Sequence, residues 1–230
     1  MGQALLFGAV ASAALIAGAA LGSFWNPPDH VTAVAIAFAG GALVSALAFE
    51  LFAEADRLGG VWYSAGGMIA GATAFIAVDG RLVSGMRGSA VAGALLAAAV
   101  FDGVPENLAL GVTLIDGASL ALLVAIVANN LPEALGSAVA MRKEGRSRAY
   151  VLGIWSAAGV LLAGSVVAGR FALEGTSGRT LAVLLGFAAG AILAALANTF
   201  FPQAFKEGGP YVAFASVAGF LLSYIVAGTH

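Results

Sequence analysis

The chain has 230 residues, 61% of them hydrophobic and only 10% charged, with a mean hydropathy of +0.99. Soluble domains do not carry that composition; it indicates a polytopic membrane protein whose surface meets a lipid bilayer. A net charge of −2 gives no case for nucleic-acid binding, and the absence of cysteine excludes disulfides and thiolate metal sites.

Runs long enough to cross about 30 Å of hydrocarbon predict an all-α bundle of eight transmembrane helices. In chain order they cover residues 3–24, 31–54, 61–80, 89–114, 118–141, 149–170, 180–204 and 210–228. No basic residue precedes the first run, so it is read as a helix and not as a signal peptide. The pairs Gly18/Gly22, Gly67/Gly71 and Gly186/Gly190 have the spacing that lets helix backbones approach closely in lipid. Turn residues separate the runs, as in Asn26-Pro27-Pro28-Asp29, Asp116-Gly117 and Gly208-Gly209-Pro210. The connections are short, and residues 1–230 are read as one transmembrane domain.

Basic residues set the expected orientation. With the N-terminus outside, the cytoplasmic side holds Arg81, Arg87, Arg142, Lys143, Arg146, Arg148 and Lys206, and the outer side holds Arg57, Arg170 and Arg179. That asymmetry predicts both termini outside, in a cytoplasmic membrane. The run Arg142–Arg148 is the clearest topology anchor. Trp25, Trp62 and Tyr63 fall where an interfacial aromatic belt would place them, and Trp155 is expected to serve packing.

Two matching segments stand inside the central apolar runs, Asp102-Gly103-Val104-Pro105-Glu106 and Asn129-Asn130-Leu131-Pro132-Glu133. A charge at bilayer depth is expensive unless it is paired, solvated or bound. Asp102 and Glu106 are four residues apart, one turn along a single helix face, and Asn129 and Glu133 repeat that spacing. Pro105 cannot bond back to the carbonyl of Phe101, nor Pro132 to that of Ala128, which frees two more oxygens. A tight turn joins the two helices, so they run antiparallel and bring the motifs face to face near the midplane. A repeated motif on an antiparallel pair is what an inverted repeat leaves behind, with the first four and the last four helices as halves. Facing carboxylates repel each other unless a cation neutralises them, and oxygen donors favour the harder divalent ions.

These motifs make the chain similar to the ZIP (Zrt-, Irt-like) family of divalent-metal transporters. The family's helix-four pattern is His-Asn-x-Pro-Glu-Gly, its helix-five pattern is similar, and the segments here fit both at the Pro-Glu core. The resemblance implies eight helices and passage of a metal ion between outward-open and inward-open states. The metal ion, zinc, manganese, iron or similar, is then a substrate and no cofactor is implied. Glu106 and Glu133 correspond to the bridging carboxylates and Asn130 to a neighbouring polar position. Asp102 and Asn129 stand where the family has histidines, leaving an all-oxygen donor set. Glu50, in Glu50-Leu51-Phe52-Ala53-Glu54, stands where the family's second helix has a histidine, and Glu50 with Glu54 would form an acidic outer vestibule. Asn198, Thr199 and Gln203 are neutral counterparts of acids in the family's seventh helix. A homodimer is a further expectation from the resemblance. The sixth helix has no acid between Leu152 and Ala168, with Ser156 its nearest polar candidate, so a second metal position is not expected.

Two other classes compete. A transport-inactive scaffold or metal sensor would keep the carboxylates without flux. An intramembrane enzyme could share a proton between two acids, yet no protease motif accompanies them, and the chain is not read as an enzyme. The only lysines, Lys143 and Lys206, lie in a loop and at a helix end, which leaves no buried lysine for a Schiff base. His30 and His230 lie outside the apolar runs and are read as surface residues.

Overall fold

A computed structural model describes residues 1–85, 91–117 and 119–228, with side chains at 79–85, 91–102 and 116 outside that description. Eight helical segments run through the described residues. They are α1 (Gly2–Phe24), α2 (Asp29–Gly59), α3 (Val61–Gly85), α4 (Val91–Asp116), α5 (Leu120–Lys143), α6 (Arg148–Ala172), α7 (Gly178–Gly208) and α8 (Val212–Ala227). The segments overlap the eight expected runs, and the largest boundary shifts are at the ends of α2 and α3, which run to 59 and 85 where 54 and 80 were expected. Six segments are long and apolar enough to cross a membrane, the mark of a multi-pass membrane protein. The other two are shorter as apolar helices, Gly103–Ile115 within α4 and Val212–Ala227 of α8.

The helix ends follow from local chemistry. Ser119, Ser147 and Ser177 cap α5, α6 and α7, each hydroxyl accepting from the amide three residues on. Gly60 and Gly209 close α2 and α7 with φ of +88° and +69°, a conformation that glycine adopts without a Cβ clash. Inside α2 the residues Leu47–Phe52 form a π-helical turn, and inside α7 the residues Leu196–Phe200 form another.

Packing relates the two halves of the chain in a particular order. Helix α3 lies on α7, α8 on α2, and α2 also touches α5 and α7. Helix α1 packs on α5 and α6, while α4 packs on α5, α6 and α7. Exchanging α1 with α6, α2 with α7, α3 with α8 and α4 with α5 turns this set of pairings into itself. The exchange takes the first four helices onto the last four, α1–α3 onto α6–α8 in order, with α4 and α5 trading places as a central pair.

Glycine contacts reproduce the same exchange. A Cβ on Gly71 would run into the carbonyl of Phe187 and the amide of Ala191, and one on Gly219 would meet the carbonyl of Phe38 and the amide of Ala42. Likewise Gly190 sits on the Met68 carbonyl and Gly41 on that of Ser216. All three glycine pairs singled out by spacing make close crossings: Gly18 and Gly22 on α5, and Gly67/Gly71 against Gly186/Gly190 between α3 and α7. Where the exchange maps a crossing onto itself, Ser12 Oγ of α1 donates to Gly159 O of α6 at 2.6 Å.

Candidate cation site between α4 and α5

Helices α4 and α5 touch along the centre of the bundle, and both carry their proline inside the helix. With about 1.5 Å of rise per residue, Glu106 lies about 15 Å from the Asp116 end of α4 and Glu133 about 20 Å from the Leu120 start of α5. On the same scale Asn129 lies at about 14 Å and Asp102 at about 21 Å, so the four positions fall in one band along the hairpin. That band is near the middle of helices of this length.

Burial differs within the set. Glu106 is 2% exposed, Asn129 and Asn130 are each 1% exposed, and Glu133 is half-buried. Asn129 Oδ1 is buried and accepts no hydrogen bond among the described residues. Leaving a buried acceptor unpaired typically costs about 1–3 kcal/mol, so this oxygen marks a place where a donor or a cation would bind favourably. Asn130 is placed differently. Its Nδ2 donates to Ala11 O of α1 at 3.0 Å, so part of the side chain ties α5 to α1. The backbone of Asp102 continues α4, and its side chain lies outside the described residues.

Asn107, the residue after Glu106, also belongs to this layer. It is fully buried, and its Nδ2 donates to Gly103 O at 2.8 Å while Oδ1 accepts no hydrogen bond among the described residues. Its stripe, Gly103–Asn107–Gly111, faces α6, since Gly103 abuts Leu162 and Gly111 abuts the Val166 carbonyl. The amide thus belongs to the α4–α6 contact, one helix face away from Glu106.

Glu50 is not gathered with Glu106 and Glu133, because among the described residues no three acidic, histidine or cysteine side chains cluster. It lines a cavity of about 200 Å³ with Phe49, Glu54, Arg57, Leu58, Val112, Thr113, Ile115, Gly117, Ser119 and Leu181. The cavity sits where α2 ends, α4 meets α5 and α7 begins, and Thr113 on its wall is about 10 Å along α4 from Glu106. Glu54 does not simply face water. The Arg57 guanidinium grips it with both Nε, at 2.7 Å, and Nη2. The basic residues expected at the opposite end, Lys143, Arg146 and Arg148, are exposed there, and Arg148 lies over the Phe24 ring at 4.6 Å. Trp25 and Trp62 are exposed, Trp155 is fully buried as packing, His30 is exposed, and His230 and the charges Asp79, Arg81 and Arg87 lie outside the described side chains.

One feature escaped the motif reading although it is written in the sequence. Residues 38–60 of α2 and 187–209 of α7 align without a gap at an offset of 149, and 11 of the 23 pairs are identical. The identities are Phe38/Phe187, Ala39/Ala188, Gly41/Gly190, Ala42/Ala191, Ala46/Ala195, Leu47/Leu196, Ala48/Ala197, Phe52/Phe201, Ala55/Ala204, Gly59/Gly208 and Gly60/Gly209. Both π-helical turns begin at the aligned pair Leu47/Leu196, and both positive-φ glycines are the aligned pair Gly60/Gly209. Sliding the chain along itself finds this repeat; searching for charged motifs does not. No protein-family model matches the chain, and a comparison with curated proteins finds no match.

Proposed function

We propose that this protein carries a divalent metal cation across a membrane through the layer formed by Glu106 and Glu133. The observation that carries the reading is that the buried Glu106 carboxylate and the buried Asn129 oxygen, which accepts no hydrogen bond among the described residues, stand at similar depth on two adjacent helices that each contain a proline. A proline inside a helix leaves the carbonyl four residues before it without its usual donor, an oxygen that can serve as a ligand at depth. Asp102 completes the set on α4, and Asn130 steadies α5 by its hydrogen bond to Ala11 of α1. In this reading all eight helices cross the bilayer, α4 and α8 included, with both termini outside. The exchange of α1–α3 with α6–α8 is then an inverted repeat, because each exchanged pair runs in opposite directions, and the chain is a divergent ZIP-like carrier with an all-oxygen site. The cavity at Glu50 and Glu54 is the outer vestibule, from which a cation descends along the Thr113–Glu106 face of α4.

The chemistry asked of the site is modest. Two carboxylates neutralise a divalent charge, amide oxygens complete its shell, and a rocking of the flanking helices about the central pair opens the layer to either side. Donors of this kind favour manganese or magnesium over softer ions. The test is uptake into proteoliposomes with a panel of Zn, Mn, Fe, Co, Cd and Mg. The Glu106→Ala/Glu133→Ala protein is expected to insert normally and lose uptake at least about 100-fold, as removal of both anionic ligands requires. Full uptake by that variant overturns the reading, and metal-dependent thermal stabilisation with no flux from the parent protein favours a sensor.

A further inference from the structure

The vestibule contains a cation of its own. Arg57 is 61% exposed, Glu54 is 25% exposed, and the two make a two-point ion pair on the wall of the same cavity that Glu50 lines. The pair stands one turn from the end of α2, and the capping Gly60 follows three residues later. A guanidinium held this way satisfies both oxygens of the Glu54 carboxylate, and a metal approaching that carboxylate has to compete with it. It also cuts the negative charge that the vestibule presents from two carboxylates to a net of one.

The repeated segment in α7 shows what the same backbone looks like without this device. Its residues at the Glu50, Glu54 and Arg57 positions are Thr199, Gln203 and Lys206. Gln203 Nε2 donates to Glu207 Oε1 at 3.2 Å, so at that end a neutral amide, and no two-point ion pair, occupies the corresponding turn. The fold does not require a carboxylate–guanidinium pair at this turn, since the sister copy forms the same π-helical turn and the same glycine cap without one.

We propose that Arg57 is a built-in competitor for the vestibule carboxylates, which an incoming cation displaces from Glu54, and that it thereby sets the concentration at which uptake begins. The inference rests on the transport reading above and adds a residue that determines apparent affinity. Arg57 is not a ligand; it acts through Glu54 and through the field of the cavity.

The experiment is initial-rate uptake of Mn into proteoliposomes by the parent protein, Arg57→Gln, Arg57→Lys, Glu54→Gln and the Arg57→Gln/Glu54→Gln double variant. Arg57→Gln is expected to lower KM about three- to tenfold with the effect on KM and not on kcat, and Arg57→Lys, which cannot make the two-point grip, to fall between. Glu54→Gln raises KM. In that background the Arg57→Gln change loses most of its effect, because the competition no longer exists. A KM that is unmoved or raised in Arg57→Gln, with the parent protein transporting, overturns this inference alone. Absence of flux from the parent protein overturns it together with the transport reading.

Discussion

Residues 38–60 of α2 and 187–209 of α7 share a π-helical turn, a positive-φ terminal glycine and the glycines that seat a neighbouring helix. They differ in a patterned way. Gly41/Gly190, Ala42/Ala191, Ala46/Ala195, Leu47/Leu196 and Ala55/Ala204 are identical and buried, whereas Phe49/Asn198, Glu50/Thr199, Glu54/Gln203, Asp56/Phe205 and Arg57/Lys206 differ and are exposed or half-exposed. Where backbone meets backbone there is room for one solution only, and both copies carry it. Where the turn faces a cavity or the surroundings, packing sets no demand and the two mouths of the bundle differ in charge.

The shared half of that comparison gives the largest expected effect. A side chain at Gly41 or Gly190 drives a Cβ into the carbonyl of Ser216 or Met68, so the crossing of α8 on α2, or of α3 on α7, has to open along its length. Gly41→Ala and Gly190→Ala are each expected to cost about 3 kcal/mol or more, beyond ordinary overpacking because the obstacle is backbone. Gly66→Ala meets nothing within 4 Å and is expected to be neutral, or stabilising by up to about 1 kcal/mol through helix propensity. Thermal unfolding in detergent ranks the three. Equal melting temperatures for Gly66→Ala and Gly190→Ala would mean that the crossings are not tight and that the resemblance of the two copies is compositional.

How far the sequence speaks depends on which of these demands is being read. Helix positions were legible because apolar runs report local energetics, and the exact starts of α5, α6 and α7 are set by the capping residues Ser119, Ser147 and Ser177, which the runs alone do not reveal. The Gly67/Gly71 and Gly186/Gly190 pairs were legible as packing surfaces, though not as each other's partners, since spacing along one helix carries no address on another. The order of the exchange was illegible for the same reason: the Pro-Glu motifs relate α4 to α5, but nothing in them says that α1–α3 trade with α6–α8 around that central pair. At the candidate site the band of oxygen donors followed from helix geometry. The tie from Asn130 to Ala11 did not, because it depends on which face of α5 meets α1.

The central pair repeats the comparison in miniature, keeping Pro-Glu in both helices and differing at Asp102 and Asn129. If the unpaired Asn129 oxygen is a ligand, Asn129→Ala removes one neutral donor while Glu106 and Glu133 remain. The expected result is a rise in KM for Mn uptake of about tenfold, matching roughly 1.4 kcal/mol for a lost oxygen contact. Asn129→His adds an imidazole and is expected to move preference from Mn toward Zn in the same panel. A protein whose stability rises on Asn129→Ala while its uptake constants stay fixed would show the oxygen to be a packing defect and no part of the path.

The smallest effect separates the two mouths. In the proposed transport reading, replacing Glu50 by Gln removes one unit charge on the path of a divalent ion. At about 10 Å and an effective dielectric between protein and water, that charge is worth about 1 kcal/mol, or about a fivefold rise in the KM for uptake from the vestibule side. The matching change in the sister copy, Thr199→Val, alters no charge and is expected to leave KM within about twofold. Because the two substitutions fall on aligned positions of the same π-helical turn, a purely structural disturbance of that turn would affect them alike. Only an electrostatic role confined to one mouth makes the first variant salt-sensitive and the second not, with the gap between Glu50→Gln and the parent closing as ionic strength rises past the point where the Debye length is about 10 Å. Equal responses of both variants across salt would place the asymmetry in the backbone, against the view that the copies share a scaffold and divide the chemistry.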